Sequence, residues 1–216
     1  MLSDKELTNQ IVAALKREPS LDAAQIGVMV EDGVAVLTGY VRTYSEEWIA
    51  ARTVGRVQGV RGVVDKLTIR LPEVSQRPDA EIERAAVAAL HWNDLVPADR
   101  IQVTVKDGVV TLQGEVDWHY QRDAALKAIR HLTGVQRINN QLTLAPSVVP
   151  RDIEADIKQA FIRHAQLDAE QIYAERQGSK VILRGVVRSL AERKDAEEVA
   201  WSTPGVADVE SYLVVV

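Results

Sequence analysis

Apolar positions recur along the chain in an order that is written three times. Leu7, Ile11 and Leu15 fall at four-residue spacing, which places them along one face of a helix. Apolar residues then alternate over positions 26–30, as expected for a half-buried strand. A shift of 75 residues carries this pattern onto the middle of the chain, and a further shift of 71 carries it onto the last third. The chain is therefore predicted to hold three tandem copies of one unit.

Glycines follow the same shifts and divide each copy into elements. The phrase Asp-Gly-Val at 32–34 recurs at 107–109, where Asp-Gly supplies the positive φ of a hairpin turn. Copy 3 has Gln-Gly-Ser-Lys at 177–180, which predicts a turn with one added residue. A later glycine predicts a bulge or a close backbone approach in the second strand, and another predicts the end of the second helix. The glycines assigned to these structural roles are Gly33, Gly39, Gly59, Gly108, Gly114, Gly134, Gly178, Gly185 and Gly205.

The order of signals in each copy predicts an α-β-β-α-β unit of about 70 residues. The predicted fold class is α+β, as three tandem small sandwiches, each with two helices on one face of a three-stranded sheet. The predicted domains are residues 1–71, 72–146 and 147–216, called copy 1, copy 2 and copy 3 below. Proline-bracketed linkers at 71–78 and 145–150 separate them.

Composition narrows the function classes. The formal net charge is −5, and the copies carry 0, −2 and −3, so no copy is basic and nucleic acid is not an expected partner. Cysteine is absent, which removes disulfides and thiolate chemistry. No apolar run reaches the length of a transmembrane segment, and the N-terminus does not read as a signal peptide. The expected compartment is the cytoplasm, or the periplasm if the chain is a processed form.

The turn, the strand with a glycine six residues on, the second helix and the closing Gly-Val-x-x-Val/Ile resemble the BON domain (bacterial OsmY and nodulation). The resemblance covers nearly the whole chain. It implies a non-enzymatic protein without cofactors that binds phospholipid or an envelope or stress partner. The alternative that it also implies is a cytoplasmic scaffold or sensor that responds to a small ligand or cation.

Motifs for chemistry are missing from the sequence. The four histidines, at 91, 119, 131 and 164, share no equivalent position in the repeat and form no helical metal-ligand pair, so no metal site is expected. Nucleophile and phosphate-loop motifs are also missing, so no catalytic residue or cofactor site is predicted. Gly59-Val60-Arg61-Gly62 has the Gly-x-x-Gly form of an RNA-binding KH loop. The other copies lack the second glycine, which favours a structural role for Gly59.

Aromatic residues provide the candidate binding surface. Trp118, His119 and Tyr120 fall between the second strand and second helix of copy 2, where copy 1 has Thr43, Tyr44 and Ser45. Rings with one apolar and one polar end suit membrane interfaces and protein contacts. Three further rings could join this membrane or partner surface: Trp92, Tyr44 and Trp48. The alternative is that the rings cap small cores or fill junctions between copies.

Overall fold

The structure is a computed structural model that describes residues 3–145, 153–163 and 171–216. Copy 1 consists of α1 (Asp4–Arg17), β1 (Ile26–Glu31), β2 (Val34–Val41), α2 (Tyr44–Gly55) and β3 (Gly62–Ile69). Copy 2 consists of α3 (Asp79–His91), β4 (Ile101–Lys106), β5 (Val109–Val116), α4 (His119–Ile129) and β6 (Arg137–Leu144). Copy 3 consists of α5 (Ile153–Arg163), β7 (Ile172–Gln177), β8 (Lys180–Val187), α6 (Leu190–Trp201) and β9 (Asp208–Val215). The predicted α-β-β-α-β order and α+β class are confirmed.

Each copy has one three-stranded sheet with its second strand in the centre. In copy 2, β4 pairs antiparallel with β5, and β5 pairs parallel with β6 across the α4 crossover. Copy 3 repeats this pairing with β7, β8 and β9. Alternate residues of the central strand point to the helices, so Val110, Leu112 and Val116 are buried while Gln113 and Glu115 are exposed.

The core of each sandwich lies between the sheet and the two helices. In copy 2 it joins Ile82, Ala86 and Leu90 of α3 with Ala125 and Ile129 of α4. In copy 3, Ile157 and Phe161 of α5 occupy the equivalent place. The four-residue spacing seen in the sequence is thus the apolar face of the first helix, and burying it stabilises each sandwich.

An aspartate at the start of the first helix holds the hairpin in copies 1 and 2. The Asp79 carboxylate accepts hydrogen bonds from the backbone N–H groups of Asp107 and Gly108 at 2.8 and 2.9 Å. Asp4 does the same for Asp32 and Gly33 at 3.0 and 3.2 Å. Both turn residues have positive φ, 51° and 72° in copy 2, as a type I′ hairpin requires.

The hairpin of copy 3 has the same length as the other two, which corrects the prediction of an added residue. Gln177 pairs directly with Lys180, so Gly178 and Ser179 form a two-residue turn. Gly178 takes the place of Asp107 under the shift of 71 and has a φ of 68°. Positive φ at the first turn position alone is typical of a type II′ turn, which explains why the turn glycine of copy 3 lies one residue earlier than in copies 1 and 2.

The strand glycines mark a close backbone approach. The antiparallel β4–β5 and β7–β8 pairings end at Gly114 and Gly185, and the parallel β5–β6 and β8–β9 registers continue past both glycines without a break. A Cβ atom at Gly114 would lie 2.1 Å from the carbonyl oxygen of Arg100, and one at Gly185 would lie 2.0 Å from that of Gln171. Only glycine fits where the preceding turn crosses so close to the strand.

The second helices end earlier than predicted. Gly59, Gly134 and Gly205 were expected to terminate them, but α2, α4 and α6 end at Gly55, Ile129 and Trp201. The three glycines instead share a φ of 91–94° in the turn that leads to the last strand. In copy 2 this turn packs on the first helix, because a Cβ at Gly134 would meet Ile82 Cδ1 at 2.9 Å.

The chain divides into two compact units, residues 1–38, 50–66 and 146–216 in one and residues 39–49 and 67–145 in the other. Residues 72–145 of copy 2 fall within the second unit, together with residues 39–49 and 67–71 of copy 1. No helix among the described residues has the length and hydropathy needed to cross a bilayer.

Candidate functional site

Two segments of copy 2 meet at the end of the sandwich opposite its hairpin. The segment 92–100 leads from α3 into β4, and the segment 117–120 leads from β5 into α4. The start of β4 pairs with the end of β5, since Ile101 is opposite Gly114. Arg100 Nη1 lies 2.9 Å from both carboxylate oxygens of Asp117, which ties the two segments together.

Large apolar side chains are exposed on both segments. The exposed fraction is 88% for Trp92, 58% for Leu95, 53% for Tyr120 and 36% for Trp118. These four residues are called the aromatic end of copy 2. The structure thus brings Trp92, Trp118 and Tyr120 to one end of one sandwich. Leu95 was missed in the sequence; its signal was an apolar residue where copy 1 has Ser20.

Trp118 stands at the N-cap of α4, where the other copies have a capping hydroxyl. Thr43 Oγ1 accepts from Glu46 N at 3.1 Å, and Ser189 Oγ accepts from Glu192 N at 3.1 Å. An indole cannot accept such a bond. The Gln121 side chain caps α4 from the other direction, accepting from the backbone N–H groups of Asp117 and Trp118 at 2.9 and 3.0 Å. With tryptophan at this position, copy 2 lacks one N-cap hydrogen bond, which usually contributes about 1 kcal/mol to stability.

His119 is largely buried, unlike its neighbours. Its side chain is 14% exposed, and Nδ1 lies 3.5 Å from Oδ2 of Asp123. Burial lowers the pKa of His119 to about 4, against the opposing attraction of the Asp123 carboxylate. The imidazole is neutral at neutral pH, so this contact is not an ion pair there. His119 belongs to the support of α4 and does not add to the exposed surface.

Tyr44 and Trp48 lie at a junction between copies 1 and 2. Tyr44 is half-buried and packs against the core of copy 2, and this burial raises its pKa. The Arg130 guanidinium stacks on the Trp48 ring with its carbon 3.8 Å from the ring centroid. Between these residues, Ser45 Oγ donates to the Arg130 carbonyl oxygen at 3.1 Å and lies 2.8 Å from His131 Nδ1. For these two rings the junction role is the one that the structure favours.

Metal and cation sites have no candidate in the part of the chain that the structure describes. No group of three or more His, Asp or Glu residues there could hold a metal ion. The cation-responsive sensor, the alternative that the sequence left open, stays a prediction.

Comparisons with known proteins agree with the repeat. The family model described as "BON domain" matches residues 3–70, 78–146 and 151–216. The chain is 30% identical over 145 residues to "Osmotically-inducible protein Y" of Escherichia coli (strain K12), which covers 65% of this chain and 72% of that protein.

Two solved structures of one protein are distant neighbours of this chain. The C-terminal domain of CdsD, a structural protein of the Type III secretion system of Chlamydia trachomatis, covers 100% of both chains at 14% identity, with a TM-score of 0.26. A second CdsD structure covers 98% of this chain and 92% of its own at 13% identity, with a TM-score of 0.27. These low scores carry no argument. The assignment depends on the three family matches and on the similarity to the E. coli protein, and it is clear: this chain belongs to the BON-domain family, of which it carries three tandem copies.

Proposed function

We propose that this chain is a non-enzymatic, stress-associated binding protein whose copy 2 attaches to a phospholipid surface through its aromatic end. The BON family is generally non-enzymatic and is associated with phospholipid binding, and the E. coli relative is named for induction by osmotic conditions. The observation that carries the proposal is Trp92, which is 88% exposed at the end of a well-formed helix.

The physical reason is the kind of surface that the aromatic end presents. Indole and phenol rings combine an apolar body with a polar group, which suits the boundary between headgroups and acyl chains. Trp92 and Leu95 lie in the same turn after α3, so insertion of this turn into the bilayer surface would bury both side chains. Burying apolar surface contributes about 25 cal/mol per Å², so two large side chains provide a few kcal/mol.

The repeat indicates that the fold does not need these side chains. Equivalent positions in copy 1 hold Arg17 for Trp92, Ser20 for Leu95, Thr43 for Trp118 and Ser45 for Tyr120. All four are polar, and copy 1 still forms the same elements. Copy 2 is therefore more apolar at this end than the shared architecture requires, and an exposed apolar patch of this kind marks a binding surface.

Binding by insertion of apolar side chains and binding by electrostatic attraction differ in how the affinity for vesicles depends on lipid charge and on salt. Copy 2 carries a net charge of −2, and the nearby Arg100 is neutralised by Asp117. We therefore expect binding to phosphatidylcholine vesicles and to vesicles with phosphatidylglycerol to be similar, and to change little between low and moderate salt.

Vesicle co-sedimentation of the full chain tests this proposal. Trp92→Arg, which installs the copy 1 residue, is expected to reduce the bound fraction at least tenfold for both vesicle types. The matched control is Val74→Ser, which removes another apolar side chain, 82% exposed, from the linker before α3. Absence of wild-type binding to either vesicle type at low salt, or equal losses for the two variants, would contradict the proposal.

A further inference from the structure

The sheet of copy 3 presents an unusual row of side chains on the face that carries no helix. Tyr173 of β7 pairs with Arg184 of the central strand, and Arg184 pairs with Tyr212 of β9. Paired residues point to the same face, so the three side chains form one row across the sheet. The exposed fraction is 67% for Tyr173 and 56% for Tyr212, and the Arg184 side chain is 59% exposed. This set is called the Tyr-Arg-Tyr row.

The equivalent positions in the sheets of copies 1 and 2 are occupied by different residues. In copy 2 the equivalent residues are Gln102, Gln113 and Gln141, paired in the same register. There Gln113 Nε2 donates to Gln141 Oε1 at 2.6 Å, which makes a neutral polar face. In copy 1 the shifts give Gly27, Thr38 and Lys66. Because three different rows fit one fold, the two tyrosines of copy 3 are not required by the architecture.

The two tyrosine rings are separated by two strand spacings, and charged groups lie between and beside them. Two strand spacings separate Tyr173 from Tyr212, a distance of roughly 10 Å. Arg184 lies between them, with its guanidinium carbon 5.1 Å from the centroid of the Tyr212 ring. Carboxylates border the row: Glu175 Oε2 lies 3.8 Å from Arg184 Nε, and Glu210 Oε2 accepts from the Tyr212 hydroxyl at 3.4 Å.

We propose that the Tyr-Arg-Tyr row is a binding site for an extended β-1,4-linked glycan strand. Exposed tyrosine rings can stack on the apolar faces of pyranose rings, and the spacing of Tyr173 and Tyr212 corresponds to about two sugar units of such a strand. The guanidinium and carboxylate groups beside the rings can donate to and accept from neighbouring sugar hydroxyls, with the bidentate geometry that these planar groups allow.

The charge of this sheet face favours a glycan over the other ligands that stack on aromatic sheet faces. Single-stranded nucleic acid binds such faces when cationic groups also contact its phosphates. On this face the cations Lys180 and Arg184 are outnumbered by three carboxylates, those of Glu175, Asp208 and Glu210. Lys180 is already paired with Glu210 and lies 3.6 Å from Asp208. A polyanion would be repelled, whereas a neutral polyhydroxyl chain would not.

This site is independent of the aromatic end of copy 2 and of the lipid proposal. Isothermal titration of the full chain with chitohexaose and with cellohexaose tests it, together with co-sedimentation on insoluble chitin, a neutral polymer. Tyr173→Ala and Tyr212→Ala are each expected to weaken binding at least tenfold, whereas Tyr212→Phe, which keeps the ring, should stay within threefold of the parent chain.

The matched controls are Gln102→Ala and Gln141→Ala, the equivalent positions of copy 2, which should leave the affinity unchanged. Circular dichroism of each variant shows whether copy 3 still folds. The proposal is overturned if none of the three probes binds, or if binding survives both tyrosine-to-alanine changes. It is also overturned if a uridine oligonucleotide or a proline-rich peptide binds at the Tyr-Arg-Tyr row in place of the oligosaccharides.

Discussion

At the scale of single residues, His119 shows how a side chain can be aromatic, lie at the start of a helix between two exposed rings and still be structural. Its neighbours Trp118 and Tyr120 are exposed, but its own side chain is 14% exposed. The local sequence could not separate the three, since helix starts place successive side chains on different faces. The repeat contained a partial signal, because copy 3 has Leu190 at the same position.

Buried neutral histidine makes folding dependent on pH. The pKa of His119 is lowered from 6.5 to about 4 by burial, so between these values the unfolded chain binds a proton that the folded chain does not. The free energy of unfolding should therefore fall as the pH is lowered from 7 to 5, by about 2 kcal/mol. Asp123 opposes this effect, and Arg122 and Lys127 add to it.

Urea unfolding at pH 7, 6 and 5 measures this loss. Other groups also titrate in this range, so the quantity of interest is the difference between the parent chain and His119→Leu, which installs the copy 3 residue. The variant should lose about 2 kcal/mol less stability over the same range. Equal pH dependence in both chains would show that His119 does not carry the effect.

At the scale of elements, one turn glycine and one strand glycine of copy 3 test whether a close backbone approach or the backbone dihedral is the stricter constraint. Gly178 and Gly185 both have positive φ, 68° and 133°, and both lie in the β7–β8 hairpin of copy 3. A Cβ at Gly178 has nothing within 4 Å, whereas one at Gly185 would lie 2.0 Å from the Gln171 carbonyl oxygen.

Gly178→Ala should therefore cost about 1 to 2 kcal/mol, from the positive φ alone. Gly185→Ala should cost more than about 3 kcal/mol, because the backbone at Gln171, just before β7, must also move. Hydrogen exchange of the β8 amides reports the free energy of opening in copy 3 for both variants. Similar losses would mean that the close approach relaxes without strain.

The sequence predicted the elements well because each depends on local signals. Periodicity placed both helices and all three strands of every copy, and Asp-Gly placed the hairpins of copies 1 and 2. It failed at copy 3, where Gln-Gly-Ser-Lys predicts an added residue but the chain forms a two-residue turn. It also failed at Gly59 and its equivalents, since a glycine with positive φ can end a helix or lie in the next turn.

At the scale of the whole molecule, the candidate surface could be predicted only in part, because a ring in a loop says nothing about which neighbour covers it. Trp92 and Trp48 looked equivalent in the sequence, yet Trp92 is 88% exposed and Trp48 stacks with Arg130 of the next copy. The contact between copies joins residues that are far apart in the chain, such as Ser45 and Arg130, which are 85 positions apart. Local periodicity carries no information about such pairs.

The junction between copies 1 and 2 should couple their unfolding. We expect a double-mutant cycle with Trp48→Ala and Arg130→Ala to give an interaction energy of about 0.5 to 2 kcal/mol, because the guanidinium lies 3.8 Å from the ring centroid in a partly buried contact. The control cycle is Tyr40→Ala with Arg70→Ala, a similar stack at 4.3 Å that lies wholly within copy 1.

Urea unfolding of the full chain measures both cycles, and hydrogen exchange resolves the copies. Loss of the Trp48–Arg130 stack should allow α2 amides to exchange without the opening of α4, because the stack connects these two helices. Loss of the Tyr40–Arg70 stack should weaken copy 1 and leave the exchange of α4 unchanged. If the first cycle gives no interaction energy, or if both cycles affect α4 alike, the Trp48–Arg130 stack does not couple copies 1 and 2, and any coupling must come from the contacts of Tyr44 and Ser45.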